Sequence, residues 1–264
     1  MEVSIKTKIK ELLNHGLIYG LTSSLQSILG FVLLPILTAY YTSTEFGIYS
    51  IILLVSALAG ALFYFGASSS LARFYFEQNS DSFRTKIASA ALFVTLLGAL
   101  LLIILSIIFG KYLSIILFDS TIYYIHIVLA CSGSAFVFSL NIMTLLLRYK
   151  KRSRLFMKIT LLGVMLNFGI TYLLLSKFTY GILAPFYGTL LSSMLCFTLI
   201  FVLTWSDFTI KICASDIRVI LDFGLKSSIA GFLYYLLDYI DRLILKELVP
   251  MSEVGIYSLG SRIA

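Results

Sequence analysis

Charged residues are scarce in this sequence. Only 12% of its 264 residues are Asp, Glu, Lys or Arg, whereas 59% are hydrophobic, and the mean hydropathy is +0.99. Soluble domains are about a quarter charged and about half apolar, so this chain has too little polar surface to cover a globule in water. The composition excludes a soluble enzyme, a disordered chain and a compact secreted domain.

Cysteine is scarce as well, and a nucleotide-binding glycine motif is missing. The three cysteines, Cys131, Cys196 and Cys213, form no Cys-x-x-Cys pair, which indicates neither a disulfide framework nor a metal site. The sequence has no Gly-rich loop followed by Lys and Ser or Thr, so ATP hydrolysis by this chain is unsupported. We therefore expect no cofactor.

Long apolar runs fill most of the chain. A membrane span needs ~20 apolar residues and a short loop about a dozen, so 264 residues allow about eight helices. The predicted fold is therefore an all-α, polytopic helical membrane protein, and its first apolar run is too long for a signal-peptide core. The predicted spans are Leu17–Tyr41, Ile48–Ala67, Ile87–Phe109, Tyr123–Leu147, Ile159–Ser176, Ile182–Trp205, Val219–Leu248 and an eighth that begins near Val254.

Lys and Arg residues lie almost entirely on one side of the predicted membrane. Fifteen precede span one or follow spans two, four and six, whereas Lys111, Lys177 and Lys246 lie on the other side. Cytoplasmic loops carry the excess of positive charge, which predicts a cytoplasmic N-terminus. We interpret the basic run from Arg148 to Arg154 as one of these loops, in contact with anionic lipid, rather than as a nucleic-acid site.

Two distant segments of the chain repeat each other. Gly16–Ser50 aligns without a gap with Gly224–Ser258, at a constant offset of 208 positions, and both segments end in Glu-x-Gly-Ile-Tyr-Ser. Because six spans separate their starts, both copies begin on the same face, which predicts a parallel repeat of two six-helix units.

The repeat also predicts the domain organisation. We expect a six-helix N-lobe at residues 1–218 and the first helices of an incomplete second lobe at residues 219–264. The chain is then a truncated form or a fragment, with the pairing of two short subunits as the alternative.

Three stretches of sequence carry a resemblance to a known family. They are Glu45–Ser50 (EFGIYS), Phe65–Gly66 with Leu71–Glu77 (FG, LARFYFE), and Asp241-Arg242 followed by Glu253–Ser258 (EVGIYS). The chain resembles the polysaccharide-biosynthesis (O-antigen type) flippases of the multidrug/oligosaccharidyl-lipid/polysaccharide exporter superfamily. It corresponds to about the first half to three-fifths of a usual member.

The resemblance implies two six-helix lobes around a central cavity. It further implies that a lipid-linked oligosaccharide crosses the bacterial cytoplasmic (inner) membrane by alternating access, as in lipopolysaccharide biosynthesis. The partners it implies are the lipid-linked oligosaccharide, membrane lipids, a coupling proton or cation and other polysaccharide-assembly proteins, with no nucleic acid.

Span seven carries the charged residues that are expensive to place inside a membrane. Asp238, Asp241 and Arg242 are spaced three and four positions apart, which predicts that they share one helical face. In one interpretation Arg242 binds a pyrophosphate or an acidic sugar and one carboxylate binds a coupling cation or proton. In the other, Asp238 and Arg242 form an ion pair that neutralises itself.

Span one is the repeat partner of span seven and is expected to line the same cavity. It offers Thr22, Ser23 and Gln26 as hydrogen-bonding groups for a sugar, although such side chains often bond their own or a neighbouring helix. Pro35 cannot donate to the carbonyl of Phe31, and with Gly30 it predicts a hinge for alternating access.

Polar residues elsewhere give one further candidate site and two structural interpretations. Arg73 and Glu77, one helical turn apart, are a candidate cytoplasmic gate or a helix cap. His126 is interpreted as an interior side chain rather than a proton relay, and Asn141 and Asn167 as hydrogen bonders between helices.

The sequence favours a flippase over two alternatives. A multidrug exporter of the same superfamily would need an unpaired carboxylate in the first lobe to bind a hydrophobic cation, and spans one to six lack a convincing one. A membrane-embedded polysaccharide polymerase or acyltransferase would need large outer loops with clustered His, Asp or Arg, whereas the outer loops here are short. We therefore expect a protein that is not an enzyme.

Overall fold

The computed structural model describes the backbone of residues 2–78, 80–209 and 211–263, and it describes side chains from residue 16 to residue 262 within those ranges. Lys6, Lys8 and Lys10, which contribute to the predicted orientation, therefore have side chains outside the described residues. The described part is helical and contains no strand. Its α-helices are α1 Glu2–Tyr40, α2 Ser43–Phe63, α3 Ala67–Phe74, α4 Asp81–Phe118, α5 Tyr124–Tyr149, α6 Ser153–Ser176, α7 Leu183–Leu203, α8 Ala214–Leu248 and α9 Met251–Ile263.

Seven of these helices are long and apolar enough to cross a membrane, namely α1, α2 and α4 to α8. The polytopic all-helical fold is thus confirmed, and each of the first seven predicted spans corresponds to one of them. The eighth predicted span begins near Val254 and stops at Ala264 after barely three turns, and α9, with 13 residues, covers it within the described part of the chain. The predicted domain division after residue 218 falls inside α8, and the division remains a prediction.

Because successive spans run in opposite directions, the end of one span lies on the same side as the start of the next. The end of α5 and the start of α6 lie at what we call the inner end, which the charge bias predicts to be cytoplasmic. One hydrophobic cluster lies there and includes Leu71, Ile87 and Leu146, and a second, with Leu37, Tyr49 and Phe186, lies at the outer end.

The Glu of the repeated motif begins a helix. Glu45 accepts a hydrogen bond from the backbone N–H of Thr42 at 2.8 Å, and the backbone N–H of Glu45 donates to the Thr42 hydroxyl at 3.3 Å. This reciprocal capping box satisfies two N–H groups that a helix N-terminus otherwise leaves without a partner. In the first copy, the motif therefore fixes where α2 starts.

The helix α8 packs closely against the corner between α2 and α3. Gly66 has φ +58°, which favours glycine, and a Cβ atom on it would lie 2.1 Å from the carbonyl oxygen of Gly224. Ser70 donates to the carbonyl of Ile220 at 2.7 Å across the same seam. These contacts hold α8 against the first six spans.

Candidate functional site

A row of polar residues on α5 lies at the centre of the candidate site. Asn141, Thr144 and Arg148 are three and four positions apart, so they share one face of the helix. All three line two neighbouring cavities. Arg148 lies at the inner end of the row, and Asn141 lies two turns deeper.

The first cavity has a volume of about 390 Å³ and lies between α1, α5, α6 and α7. Its lining combines apolar side chains with amides and hydroxyls. The polar lining residues are Gln26, Asn141, Thr144, Arg148, Thr160, Asn167, Thr189, Ser192 and Ser193.

The second cavity has a volume of about 500 Å³ and lies between α5, α8 and the α2–α3 corner. Ser227 and Ser69, which both line it, form a hydrogen bond of 2.7 Å between α8 and α3. Tyr64 is another residue that lines this cavity. The repeat-related helices α1 and α8 thus line different cavities beside the α5 row, α1 the first and α8 the second.

The cavities carry a positive charge. Among the described residues that line them there is no Asp or Glu, and Arg148 is the charged residue. Its guanidinium carbon lies 4.5 Å from the centre of the Phe156 ring, and no described carboxylate lies within 4.0 Å of it. A planar guanidinium that donates no hydrogen bond within the described residues is suited to a phosphate or a carboxylate.

The predicted polar residues of α1 divide into two groups. Gln26 lines the first cavity. Thr22 is fully buried and donates to the carbonyl of Ile18 at 2.6 Å, and Ser23 donates to the carbonyl of Tyr19 at 3.0 Å. Their hydroxyls therefore bond their own helix, as is common for Thr and Ser in helices.

The predicted hinge lies within a continuous helix. The helix α1 runs through Pro35 without interruption from Glu2 to Tyr40. Gly30 lines the first cavity and would find open space around an added Cβ atom. The hinge remains a prediction.

The charged residues of α8 lie beyond the cavities. Arg242 is buried, donates to the Ser261 hydroxyl at 2.6 Å and lies 4.8 Å from the Tyr239 ring, while Asp241 accepts a hydrogen bond from Tyr257. These contacts fasten α8 to α9.

Asp238 is exposed, and the described residues include no ion pair between it and Arg242. The interpretation with a neutralising pair is therefore not met in the described residues, where the guanidinium donates to Ser261 instead. The lining of the two cavities does not bring Asp238, Asp241 or Arg242 together with Gln26.

Arg73 and Glu77 do not form an ion pair in the described part of the chain. Both are exposed, and Arg73 lies in the last turn of α3, 4.7 Å from the ring of Phe223 on α8. Arg73 thus contacts the α3–α8 seam, and Glu77 follows the helix.

The asparagines and His126 have different environments. Asn167 donates to Thr189 at 3.0 Å, which confirms the predicted bond between helices. His126 lies between Tyr123 and Phe186, and its Nδ1 atom has no hydrogen-bond partner among the described residues.

Sequence reasoning missed Arg148 as a site residue. The basic run from Arg148 to Arg154 predicts a loop that sets the orientation of the chain, whereas Arg148 belongs to the last turn of α5. Its spacing from Asn141 and Thr144 is the signal that could have identified it.

Comparison with known proteins gives both sequence and structural matches. The sequence model of a family described as polysaccharide biosynthesis protein matches residues 12–264. A search of curated proteins gives no significant match.

Solved structures of transporters share the fold. A multidrug resistance MATE family transporter in an inward-facing conformation has a TM-score of 0.67 and 17% identity, covering 90% of this chain and 57% of its own. A MATE protein in complex with Br-NRF has a TM-score of 0.66 and 15% identity, covering 96% and 65%. A MOP superfamily transporter from Pyrococcus furiosus has a TM-score of 0.59 and 15% identity, covering 96% and 61%. The chain thus spans less than two thirds of the length of these structures.

Proposed function

Because the chain belongs to the polysaccharide biosynthesis protein family, we propose that it takes part in moving lipid-linked oligosaccharide repeat units across the membrane by alternating access. The proposed membrane is the bacterial cytoplasmic membrane, with the N-terminus in the cytoplasm. A proton or cation is the proposed coupling ion, and the O-antigen of lipopolysaccharide is a proposed product.

The lining of the two cavities is the observation that carries this proposal. The side-chain amides of Gln26 and Asn141 are able to hydrogen-bond sugar hydroxyls, and Arg148 provides a positive charge for phosphate. The Thr144 hydroxyl donates to the carbonyl of Asn141 at 3.0 Å, so it offers a sugar only an acceptor. Hydrogen bonds in a cavity of low dielectric constant discriminate strongly against ligands that leave them unmade.

The multidrug alternative has support from the fold of the MATE relatives. A hydrophobic cation would require a carboxylate, or at least no competing cation, in its binding cavity. The described lining residues include Arg148 and no Asp or Glu, which favours an anionic ligand.

The other predicted residues have proposed roles around these cavities. Gln26 is proposed to bind the sugar, and Gly30 and Pro35 to form a bending point of α1. Arg242, with Asp238 or Asp241, is proposed to couple movement of α8 and α9 to an ion or an anionic group, and Arg73 with Glu77 to border the inner entrance.

A binding experiment on the purified chain tests the proposal. Its affinity for an undecaprenyl-diphosphate-linked trisaccharide is compared with its affinity for ethidium, a hydrophobic cation. We expect the anionic glycolipid to bind at least tenfold more tightly. A preference for ethidium would overturn the proposal in favour of the multidrug alternative, and binding of neither ligand would overturn both.

A further inference from the structure

The α5–α6 connection, residues 150–152, carries two cations that one buried carboxylate holds. Lys150 and Arg152 both contact Asp207, which follows α7. The Lys150 Nζ atom lies 2.8 Å from Oδ1 of Asp207, and two guanidinium nitrogens of Arg152 lie 2.8 and 3.3 Å from its oxygens. Because two cations share a single carboxylate, this group keeps one positive charge in excess.

A groove at the inner end of the bundle lies beside these two cations. It has a volume of about 360 Å³ and is bordered by the segment between α3 and α4, the first turn of α4 and the α5–α6 connection. Within the described part of the chain, it has no lining residue in common with the two central cavities. We call it the inner groove, and its lining residues are Tyr75, Phe76, Asp81, Arg84, Thr85, Tyr149, Lys150 and Arg152.

Three aromatic rings of the inner groove pack against one another and against Arg84. The rings of Tyr75 and Tyr149 are 5.1 Å apart, and the ring of Phe76 is 5.0 Å from each of them. The guanidinium carbon of Arg84 lies 5.8 Å from the centre of the Tyr75 ring and 6.0 Å from that of Phe76. Contact with aromatic rings orients a guanidinium group, so this cluster holds Arg84 beside the groove.

The inner groove carries more positive than negative charge. Arg84, Lys150 and Arg152 line it, and the carboxylates in contact with them are Asp207 and Asp81. The Asp81 side chain is fully exposed and lies 3.7 Å from Arg84, and exposed ion pairs of this kind are weak. The side chains of Arg84 and Lys150 are only 26% and 25% exposed, so water screens their charges less than it would on an open surface.

A phosphate group matches this arrangement. A guanidinium donates two parallel hydrogen bonds to phosphate oxygens, and an ammonium adds a compact positive charge. Basic pockets on the inner side of a membrane bind the headgroups of anionic lipids. Phe76 is 55% exposed and borders the same groove, which offers an apolar contact to the carbon atoms of a phosphate ester.

We propose that the inner groove binds a phosphate group between Arg84, Lys150 and Arg152. Such a group comes either from the headgroup of an anionic phospholipid in the adjoining leaflet or from free phosphate. A bound phosphate joins the start of α4 to the α5–α6 connection. The site lies outside the central cavities, so this proposal does not rest on the proposed function.

Matched lipids and matched variants test the inner groove. The full chain is purified in detergent, and native mass spectrometry compares its affinities for phosphatidylglycerol and phosphatidylcholine with the same acyl chains. Equilibrium dialysis measures the binding of radiolabelled inorganic phosphate. The variants are Arg84→Gln, Arg84→Lys and Lys150→Gln, the last of which leaves Asp207 in contact with Arg152. The control is Lys86→Gln, because Lys86 is an exposed cation of the same helix that does not line the groove.

We expect the unmodified chain to bind phosphatidylglycerol about tenfold more tightly than phosphatidylcholine, the equivalent of one hydrogen bond to a charged group. Arg84→Gln and Lys150→Gln should each remove most of this preference, Arg84→Lys should remove less of it, and Lys86→Gln should retain it. Binding of labelled phosphate with the same order of variants, and no preference between the lipids, would support the site with free phosphate as its ligand. Melting temperatures without added ligand show which variants are folded, and either glutamine variant is sufficient for the test.

Three results would overturn the proposal. The first is a chain that neither prefers phosphatidylglycerol nor binds labelled phosphate. The second is a preference that the folded glutamine variants retain. The third is an equal loss in Lys86→Gln, which would indicate a diffuse attraction to the basic surface. None of them alters the comparison of the trisaccharide with ethidium, so the proposed function stands or falls separately.

Discussion

Gly47 and Gly255, which occupy the same position in the two sequence repeats, lie against each other where α2 crosses α9. A Cβ atom on Gly47 would lie 2.3 Å from the carbonyl oxygen of Met251, and one on Gly255 would lie 1.9 Å from that of Ser43. Met251 and Ser43 are themselves related by the 208-residue offset, so the contact is reciprocal. A reciprocal contact is the mark of a two-fold relation, which here relates the two copies of the motif.

Replacing either glycine by alanine should destabilise this crossing. Backbone atoms cannot move aside as a flexible side chain can, so the helices must separate, at a cost of about 1–3 kcal/mol. We expect Gly47→Ala and Gly255→Ala each to lower the melting temperature of the purified protein. Gly169→Ala is the control, because Gly169 lies inside α6 with open space around it, and alanine there should be neutral or stabilising. Equal melting temperatures for all three variants would contradict the reciprocal contact.

The Asp207 contacts should protect the α5–α6 connection from proteolysis. Asp207→Asn removes the charge that holds Lys150 and Arg152, and these cations then repel each other. We expect trypsin to cut after Lys150, Lys151 or Arg152 several-fold faster than in the unmodified protein. The control is Asp222→Asn, since Asp222 is exposed and its pair with Arg218 is 3.7 Å long, which is worth about 0–1 kcal/mol. Cleavage at the control rate would show that Asp207 does not order the connection.

Arg242 should contribute to the packing of α9 on α8. Its hydrogen bond to Ser261 involves a charged donor, and such bonds are worth about 1.5–3 kcal/mol. A double-mutant cycle of Arg242→Ala and Ser261→Ala, read by thermal unfolding, should give a coupling energy of at least about 0.5 kcal/mol. Additive effects would indicate that the two side chains act independently.

Gln26 and Thr22 should behave differently although they lie one turn apart on α1. Gln26→Ala should weaken binding of the lipid-linked trisaccharide by about twofold to tenfold, the equivalent of one neutral hydrogen bond. Thr22→Val should have no effect on affinity, because its hydroxyl is buried and bonded to Ile18. Loss of affinity in Thr22→Val but not in Gln26→Ala would place the ligand elsewhere.

Hydropathy and charge were sufficient to predict the spans, because a membrane imposes a length and a composition on each helix. The repeat predicted which segments correspond, but not that Gly47 and Gly255 touch each other. That contact depends on how the helices cross, which a sequence alignment does not contain.

Charges near helix ends were harder to interpret. Lys150, Arg152 and Arg148 are close in sequence and equal as charges that set the orientation of the chain. In the structure, Lys150 and Arg152 contact Asp207, which is distant in sequence. Arg148 instead stacks on Phe156 of the next helix. For the same reason, the sequence left open whether Asp238 pairs with Arg242, since Ser261 on α9 is the partner that the fold supplies.

Water access to the two cavities beside the α5 row, the first flanked by α1 and the second by α8, is the central claim. Its most direct test is the reactivity of Asn141→Cys toward a charged methanethiosulfonate in membranes, in a chain whose own cysteines are replaced by alanine or serine. Leu100→Cys is the reference, because Leu100 is exposed on the outer surface of α4 and faces lipid in this account. We predict that the cysteine at position 141 reacts at least tenfold faster than the one at position 100. Equal, slow reaction at both positions would contradict the account.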